Sequence, residues 1–194
     1  MTIRVPQWQG DPHGFVDGLF TWYETVGAGR YDEQVTQLAH ALQTAHHARQ
    51  SGASDLEVGA ALLHDVGHFL VRAHREQGDF LKRDLQHEIV GAAWLLHYFP
   101  PGLAQLVRLH VPAKRWLCTT DDTYWSGLSE ASKRSLEVQG GRMRPDEVSA
   151  FESQEGWQAA VALRQYDDLG KQRDLDVPGL DRYRELLVGL LPGS

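Results

Sequence analysis

Apolar residues recur at helical spacing through most of the chain. Over 33–50, Val35, Leu38, Leu42 and Ala45 form one stripe closed by Ser51-Gly52, which predicts a helix. Ser54-Asp55-Leu56-Glu57 reads as a capping box opening a second helix, which runs through Ala60-Ala61-Leu62-Leu63 to about Gly67. A third helix is predicted over 84–99, stopped by Pro100-Pro101, and a fourth over 103–110, ending before Pro112. Further helices are predicted over 129–139, closed by Gly140-Gly141, from Pro145 as a first-turn residue, and over 157–169 and 180–191. Between 112 and 128 the spacing lapses. That stretch, holding Trp116, Tyr124 and Trp125, reads as a long loop serving as a lid or pocket wall. No alternating run of β-branched residues signals a strand. The expectation is one all-α domain spanning 1–194, a helical bundle. Residues 1–30, with Gly10, Pro12, Gly14 and Gly18, form an N-terminal extension packed on the pocket or on a partner.

Composition narrows the function classes. The chain has 194 residues, 42% hydrophobic and 23% charged, as expected of a globular protein with one substantial core. A net charge of −7 argues against a general nucleic-acid binder, which needs a basic face to displace counterions. Cys118 is the single cysteine, so no internal disulfide forms and a reducing, cytoplasmic compartment is expected. The first ten residues lack the apolar centre of a signal peptide, and no segment approaches the ~20 apolar residues of a membrane span.

Ten histidines are many for this length, and most fall between His40 and His110. His64-Asp65 is the most informative pair, because a carboxylate can bridge two cations while the neighbouring imidazole holds one. In chain order the candidate ligands are His40, His64, Asp65, His87, His110 and Asp167, each on a different helix or helix end apart from the adjacent pair. Imidazole and carboxylate without thiolate favour iron, manganese or zinc. The set is too large for one tetrahedral zinc and suits two metals bridged by Asp65. Periodicity puts His40 beside His47 on the polar face of its helix, so the case for His40 rests on the set rather than on its own spacing. His46, His47, His74 and His97 lack such context and read as surface or structural residues.

The order H…HD…H…H…D resembles the HD-domain superfamily, mostly metal-dependent phosphohydrolases with a minority of diiron oxygenases. The flanks resemble the mixed-valence diiron oxygenases of the PhnZ/TmpB organophosphonate-degrading type. The segments that carry this are Gln37-Leu38-Ala39-His40, Leu63-His64-Asp65-Val66-Gly67-His68, Gln86-His87-Glu88, His110-Val111-Pro112-Ala113-Lys114-Arg115, Leu136-Glu137-Val138-Gln139-Gly140-Gly141 and Gly170-Lys171-Gln172-Arg173. The resemblance implies one iron on His40, His64 and Asp167, another on His87 and His110, and Asp65 between them. It also implies a mixed-valence Fe(II)/Fe(III) pair, O2 as co-substrate and cleavage of a carbon–phosphorus bond.

Spacing adds a substrate end. Lys114 follows His110 by about one turn, Arg164 shares a helix face with Asp167, and Ser132, Ser135 and Gln139 form a polar stripe. A guanidinium suits a forked grip on a phosphonate. The resemblance adds His68 to these phosphonate contacts and implies catalytic roles for Asp65, His68 and Lys114. At the other end, Tyr31, Asp32 and Glu33 stand where the family has a tyrosine and a glutamate separated by two residues; here one acidic residue intervenes. That acidity, with Trp22, Trp116 and Trp125 available, suits a trimethylated cation better than a primary ammonium. The expected substrate is therefore (R)-1-hydroxy-2-(trimethylammonio)ethylphosphonate, giving glycine betaine and phosphate. The alternatives are the unmethylated 2-amino-1-hydroxyethylphosphonate, an HD phosphohydrolase using metal-bound hydroxide, and a non-catalytic ligand-sensing module. The expected partners are the small phosphonate and O2, with no nucleic acid and no membrane.

Overall fold

The computed structural model describes residues 5–29, 35–73 and 86–193. Tyr31, Asp32, Glu33 and His74 lie outside these residues. The described residues are helical, with no strand and no helix long and apolar enough to cross a membrane. The helices are α1 (Pro12–Val26), α2 (Gln37–Gln50), α3 (Asp55–Leu63), α4 (Val66–Ala73), α5 (His87–Leu95), α6 (Pro101–Thr120), α7 (Asp122–Gly127), α8 (Glu130–Val138), α9 (Pro145–Glu152), α10 (Trp157–Leu169) and, after a 3-10 turn over Leu180–Tyr183, α11 (Arg184–Gly189).

Helix α6 is the axis of the bundle. It packs on α3, α5 and α10, while α2 closes against α3 and α10, and α4 against α5. Pro112 lies inside α6, so the helix does not stop where the proline rule placed its end, and much of the expected lid loop is instead α6 and α7. Losing the amide of Pro112 costs roughly 3 kcal/mol in a helix interior. Arg108, whose carbonyl loses its donor, is exposed, so water can satisfy that oxygen. Burial of Leu103, Leu106, Val107, Leu109, Val111, Ala113 and Leu117 holds both halves in line.

The expected long second helix is broken. A turn at His64-Asp65 separates α3, which opens on the capping box of Ser54 and Glu57, from α4. In a continuous helix adjacent side chains diverge by about 100°. The break lets His64 and Asp65 converge on one cluster with His40.

The N-terminal extension proves to be core. Phe15, Val16, Leu19, Phe20, Trp22 and Tyr23 of α1 are buried, each worth about 1.5–3 kcal/mol in transfer terms. Phe15 and Trp22 pack on Trp94, and Tyr23 sits edge-on to Phe69 at 4.8 Å. The tryptophans offered above as cage walls are committed elsewhere. Trp22 is core, Trp116 packs on Phe151 and Trp157, and Trp125 lies under the cations of Lys133 and Arg142.

Candidate metal centre

Four helices and one turn bring the candidate ligands together. His40 comes from α2, His64 and Asp65 from the α3–α4 turn, His87 from the first residue of α5, His110 from mid-α6 and Asp167 from α10; all are buried. His40, which periodicity set on a polar face, is fully buried, because the face α2 turns to α10 is itself polar. Gln43 on α2 pairs with the backbone of Gln172 just past α10, donating to its carbonyl at 2.9 Å and accepting from its N–H at 3.0 Å.

Asp65 divides the site. Its Oδ2 lies 3.7 Å from His40 Nε2 and 3.6 Å from His64 Nε2, and Asp167 Oδ1 stands 3.3 Å from the same His40 nitrogen. Its Oδ1 faces the other way, 3.4 Å from His87 Nε2, 3.8 Å from His110 Nε2 and 3.7 Å from His68 Nε2. Two ligand groups, His40–His64–Asp65 and Asp65–His68–His87, therefore share this carboxylate.

Hydrogen bonds fix the imidazole tautomers. The Nδ1 atoms of His40, His64 and His110 meet the carbonyls of Gly170 (2.9 Å), Ala61 (2.8 Å) and Val107 (2.6 Å). A carbonyl only accepts, so each Nδ1 carries the proton and each Nε2 of the neutral ring presents a lone pair. Yet Nε2 of His40 and His64 stand 3.2 Å apart, two acceptors face to face. Asp65 Oδ2 and Asp167 Oδ1, buried beside them, accept no hydrogen bond. A cation resolves this arrangement: bonds of ~2.1 Å at octahedral or tetrahedral angles put donor atoms about 3.0–3.4 Å apart. The residues fit a metal.

The electrostatics agree. Burial pushes His110 well below its usual range and lowers His64, keeping both neutral. Burial alone would raise the Asp65 carboxyl, but His64, His68 and His87 hold it well below the ordinary carboxylate range. Burial likewise opposes ionisation of Asp167, and Arg164 and Lys171 overcome it. His87 is raised against the effect of burial by its bond to Asp65 and by the charges of Asp65 and Glu88.

Beside the ligands lies a cationic wall. Buried Lys114 donates to Ser135 Oγ (2.6 Å) and Gln139 Oε1 (2.9 Å), which ties α6 to α8. The next residue, Arg115, binds the carbonyls of Gly140 and Gly141, so the Ala-Lys-Arg and Gln-Gly-Gly segments form one unit. Both glycines have positive φ, +100° and +71°, conformations that other residues rarely adopt. Ser132 is half-buried and bonds Ser129, and His68 stacks on His87 with ring centres 3.9 Å apart. Arg164 is engaged by protein carboxylates: Nη1 with Asp167 Oδ2 at 2.5 Å, and Nε and Nη2 with Asp168. Tyr124 hydroxyl donates to Asp168 and accepts from Arg164 Nε at 3.0 Å. Asp168 was readable as an i,i+4 partner of Arg164. No spacing rule connects Tyr124 to either.

Burial, reinforced by the nearby Arg164 charge, lowers Lys114 to about 7. The folded protein therefore binds fewer protons at Lys114 than the unfolded chain between pH 7 and the normal lysine range, and stability rises with pH in that window. From pH 7.5 to 8.5 the metal-free protein is expected to gain up to about 1 kcal/mol from this residue. Urea unfolding of wild type and Lys114→Met at the two pH values checks this: the variant should lose the slope, and an equal slope in both proteins would exclude it.

The HD domain model matches residues 34–146. The chain is 48% identical over 179 residues to the hydroxymethylphosphonate dioxygenase of Gimesia maris, covering 92% of this chain and 89% of that one. It is 40% identical over 168 residues to the [1-hydroxy-2-(trimethylamino)ethyl]phosphonate dioxygenase (glycine-betaine-forming) of Leisingera caerulea, covering 84% and 82%. An uncharacterised protein of Acanthamoeba polyphaga mimivirus is 32% identical over 185 residues, covering 92% and 83%.

Proposed function

The chain belongs to the HD-domain family and, within it, to the oxygenases that act on phosphonates, and we propose that it holds two iron ions across Asp65 and uses O2 to cleave the carbon–phosphorus bond of a 1-hydroxyphosphonate. The observation that carries the two-metal reading is Asp65 itself, whose two oxygens face two separate sets of imidazoles. A mixed-valence Fe(II)/Fe(III) pair would supply the one-electron chemistry with O2 that no side chain can provide.

Hydroxymethylphosphonate is the favoured substrate. The relative acting on it shares 48% identity over 92% of this chain. None of the tryptophans offered for a trimethylammonium cage is left to form one, since Trp22, Trp116 and Trp125 are committed to packing or to cation contacts. By analogy with a glycine-betaine-forming reaction, the hydroxyl-bearing carbon leaves as a carboxylate. Hydroxymethylphosphonate and O2 then give formate, phosphate and a proton, with both oxygen atoms incorporated. A second reading, the trimethylammonio substrate, is favoured by acidic Asp32 and Glu33 with Tyr31 and by the 40% identical relative.

The chain's own residues bind and orient. Lys114, with Ser135 and Gln139 on its ammonium, and Ser132 on the same helix as Ser135 form the phosphonate end, and Arg164, held on Asp167 and Asp168, adds its charge beside them. His68, stacked on His87 beside the second ligand group, is a further candidate contact to the anion. Burial of this wall excludes water and strengthens each charge-assisted hydrogen bond to the anion.

The test is phosphate release by iron-loaded protein under air and under argon, with hydroxymethylphosphonate and both 1-hydroxy-2-aminoethyl compounds. O2-dependent release with the highest kcat/KM on hydroxymethylphosphonate is expected. Preference for the trimethylated compound would favour the second reading. No release from any of the three phosphonates, with O2-independent release from a phosphomonoester that manganese also supports, would mean an HD phosphohydrolase and overturn the proposal.

A further inference from the structure

Two cations, Arg164 and Lys171, stand over two neighbouring carboxylates of which only one belongs to the ligand set. Asp167 and Asp168 differ in burial, with side chains 2% and 23% exposed. Asp168 takes the larger share of the positive charge. Its two oxygens receive the side-on fork of Arg164, Nε at 3.1 Å and Nη2, and also Lys171 Nζ at 3.1 Å and the Tyr124 hydroxyl. Asp167 receives Arg164 Nη1 on Oδ2, while its Oδ1 stands 3.3 Å from His40 Nε2 and accepts no hydrogen bond. Lys171 Nζ is nevertheless only 3.2 Å from that same Oδ1.

This geometry sets up a competition. An ammonium that settles on Asp167 Oδ1 takes the oxygen that a cation at His40 and His64 needs. Asp168 offers the ammonium an alternative carboxylate, and by forking Arg164 it keeps the guanidinium on Oδ2. Tyr124 fixes Asp168 from the α7 side, bonding both members of the fork. We infer that Asp168 and Tyr124 are positioning residues for the His40 side of the metal centre, acting through Arg164 and Lys171 to leave Asp167 Oδ1 open to the ion. The inference rests on the two-metal reading above.

Loss of a partner that orients a ligating group commonly costs 10- to 100-fold in metal affinity. The test is Mn(II) and Fe(II) binding to the full chain, by competition with a chromophoric chelator, alongside thermal unfolding. Wild type should bind two ions. Asp168→Asn should weaken one of the two affinities by about 10- to 100-fold and leave the other within a factor of two. Tyr124→Phe should act in the same direction by less. Adding Lys171→Met to Asp168→Asn should restore affinity several-fold, because the competing ammonium is gone; a merely structural role for Asp168 gives no such rescue. Should Asp168→Asn not fold, Tyr124→Phe alone and with Lys171→Met decides by the same criteria. Equal weakening of both ions, or no rescue, overturns the inference while the two-metal reading stands. A wild type that binds fewer than two ions takes both down.

Discussion

Replacing Asp65 by alanine is expected to empty both sides of the metal centre and abolish turnover. The reason is geometric: Oδ2 serves the His40–His64 side and Oδ1 the His87–His110 side, so one substitution removes a ligand from each. The loss should exceed the ~100-fold ceiling typical of removing an outer partner of a ligand. Electrostatics add to it. The bond to Asp65 is the largest of the interactions that raise His87 against burial, so in the variant that imidazole keeps only the weaker support of Asp167 and of Glu88, whose carboxylate lies 3.5 Å from its Nδ1. His40→Ala is the comparison, because it strips a ligand from one side alone and should leave the other ion bound. Metal content per chain and phosphate release measure both. An Asp65→Ala protein that still holds two ions tightly would refute the bridging role.

Gly67→Ala should be nearly as damaging, for a reason unconnected with ligation. A Cβ at Gly67 would lie 1.8 Å from the His87 carbonyl oxygen, 2.7 Å from its carbonyl carbon and 3.0 Å from the Gly91 amide. These are backbone atoms of α5 and cannot rotate away. Alanine improves helix propensity by about 1 kcal/mol, whereas forced repacking of a filled contact costs about 1–3 kcal/mol and more when backbone must move. Repacking wins. Helix α5 shifts away from α4 and carries His87 with it, so the melting temperature is expected to fall by roughly 5 °C, at about 2–4 °C per kcal/mol for a chain of this size. Metal on the His87 side should be lost. Gly189→Ala is the control: a Cβ there meets nothing within 4 Å. Differential scanning calorimetry with metal analysis separates the two, and a Gly67→Ala protein with wild-type stability and two ions would show that α4 and α5 tolerate separation.

Gly67 also shows where sequence reading stops. It reads as a helix end, but its role is a close approach to a helix some twenty residues later, which local pattern does not encode. The same limit explains the misread helices. Pro112 obeys a local rule that burial along both flanks of α6 overrides, and Gly14 and Gly18 mask the aromatic face that α1 buries. Where local and global preferences agree, boundaries were legible. Helix α10 runs from Trp157 to Leu169 as expected, set between Gly156 and Gly170, and Ser54 caps α3 as its box implied. The ligands His40, His64, Asp65, His87, His110 and Asp167 were legible only as a set, since His40 alone reads as a surface residue. Their convergence depends on the helix break at His64-Asp65, which a smooth apolar run conceals. Asp168 was within reach through its i,i+4 spacing to Arg164. Tyr124 was hidden because it meets its partners only across the fold.

The most direct measurement of the central claim is an electron paramagnetic resonance spectrum of iron-loaded, partly oxidised protein, with and without hydroxymethylphosphonate. One Asp65 carboxylate shared by two ions should give a single spin-coupled Fe(II)/Fe(III) signal that the substrate perturbs. An isolated Fe(III) signal, or one iron per chain indifferent to the phosphonate, would contradict it.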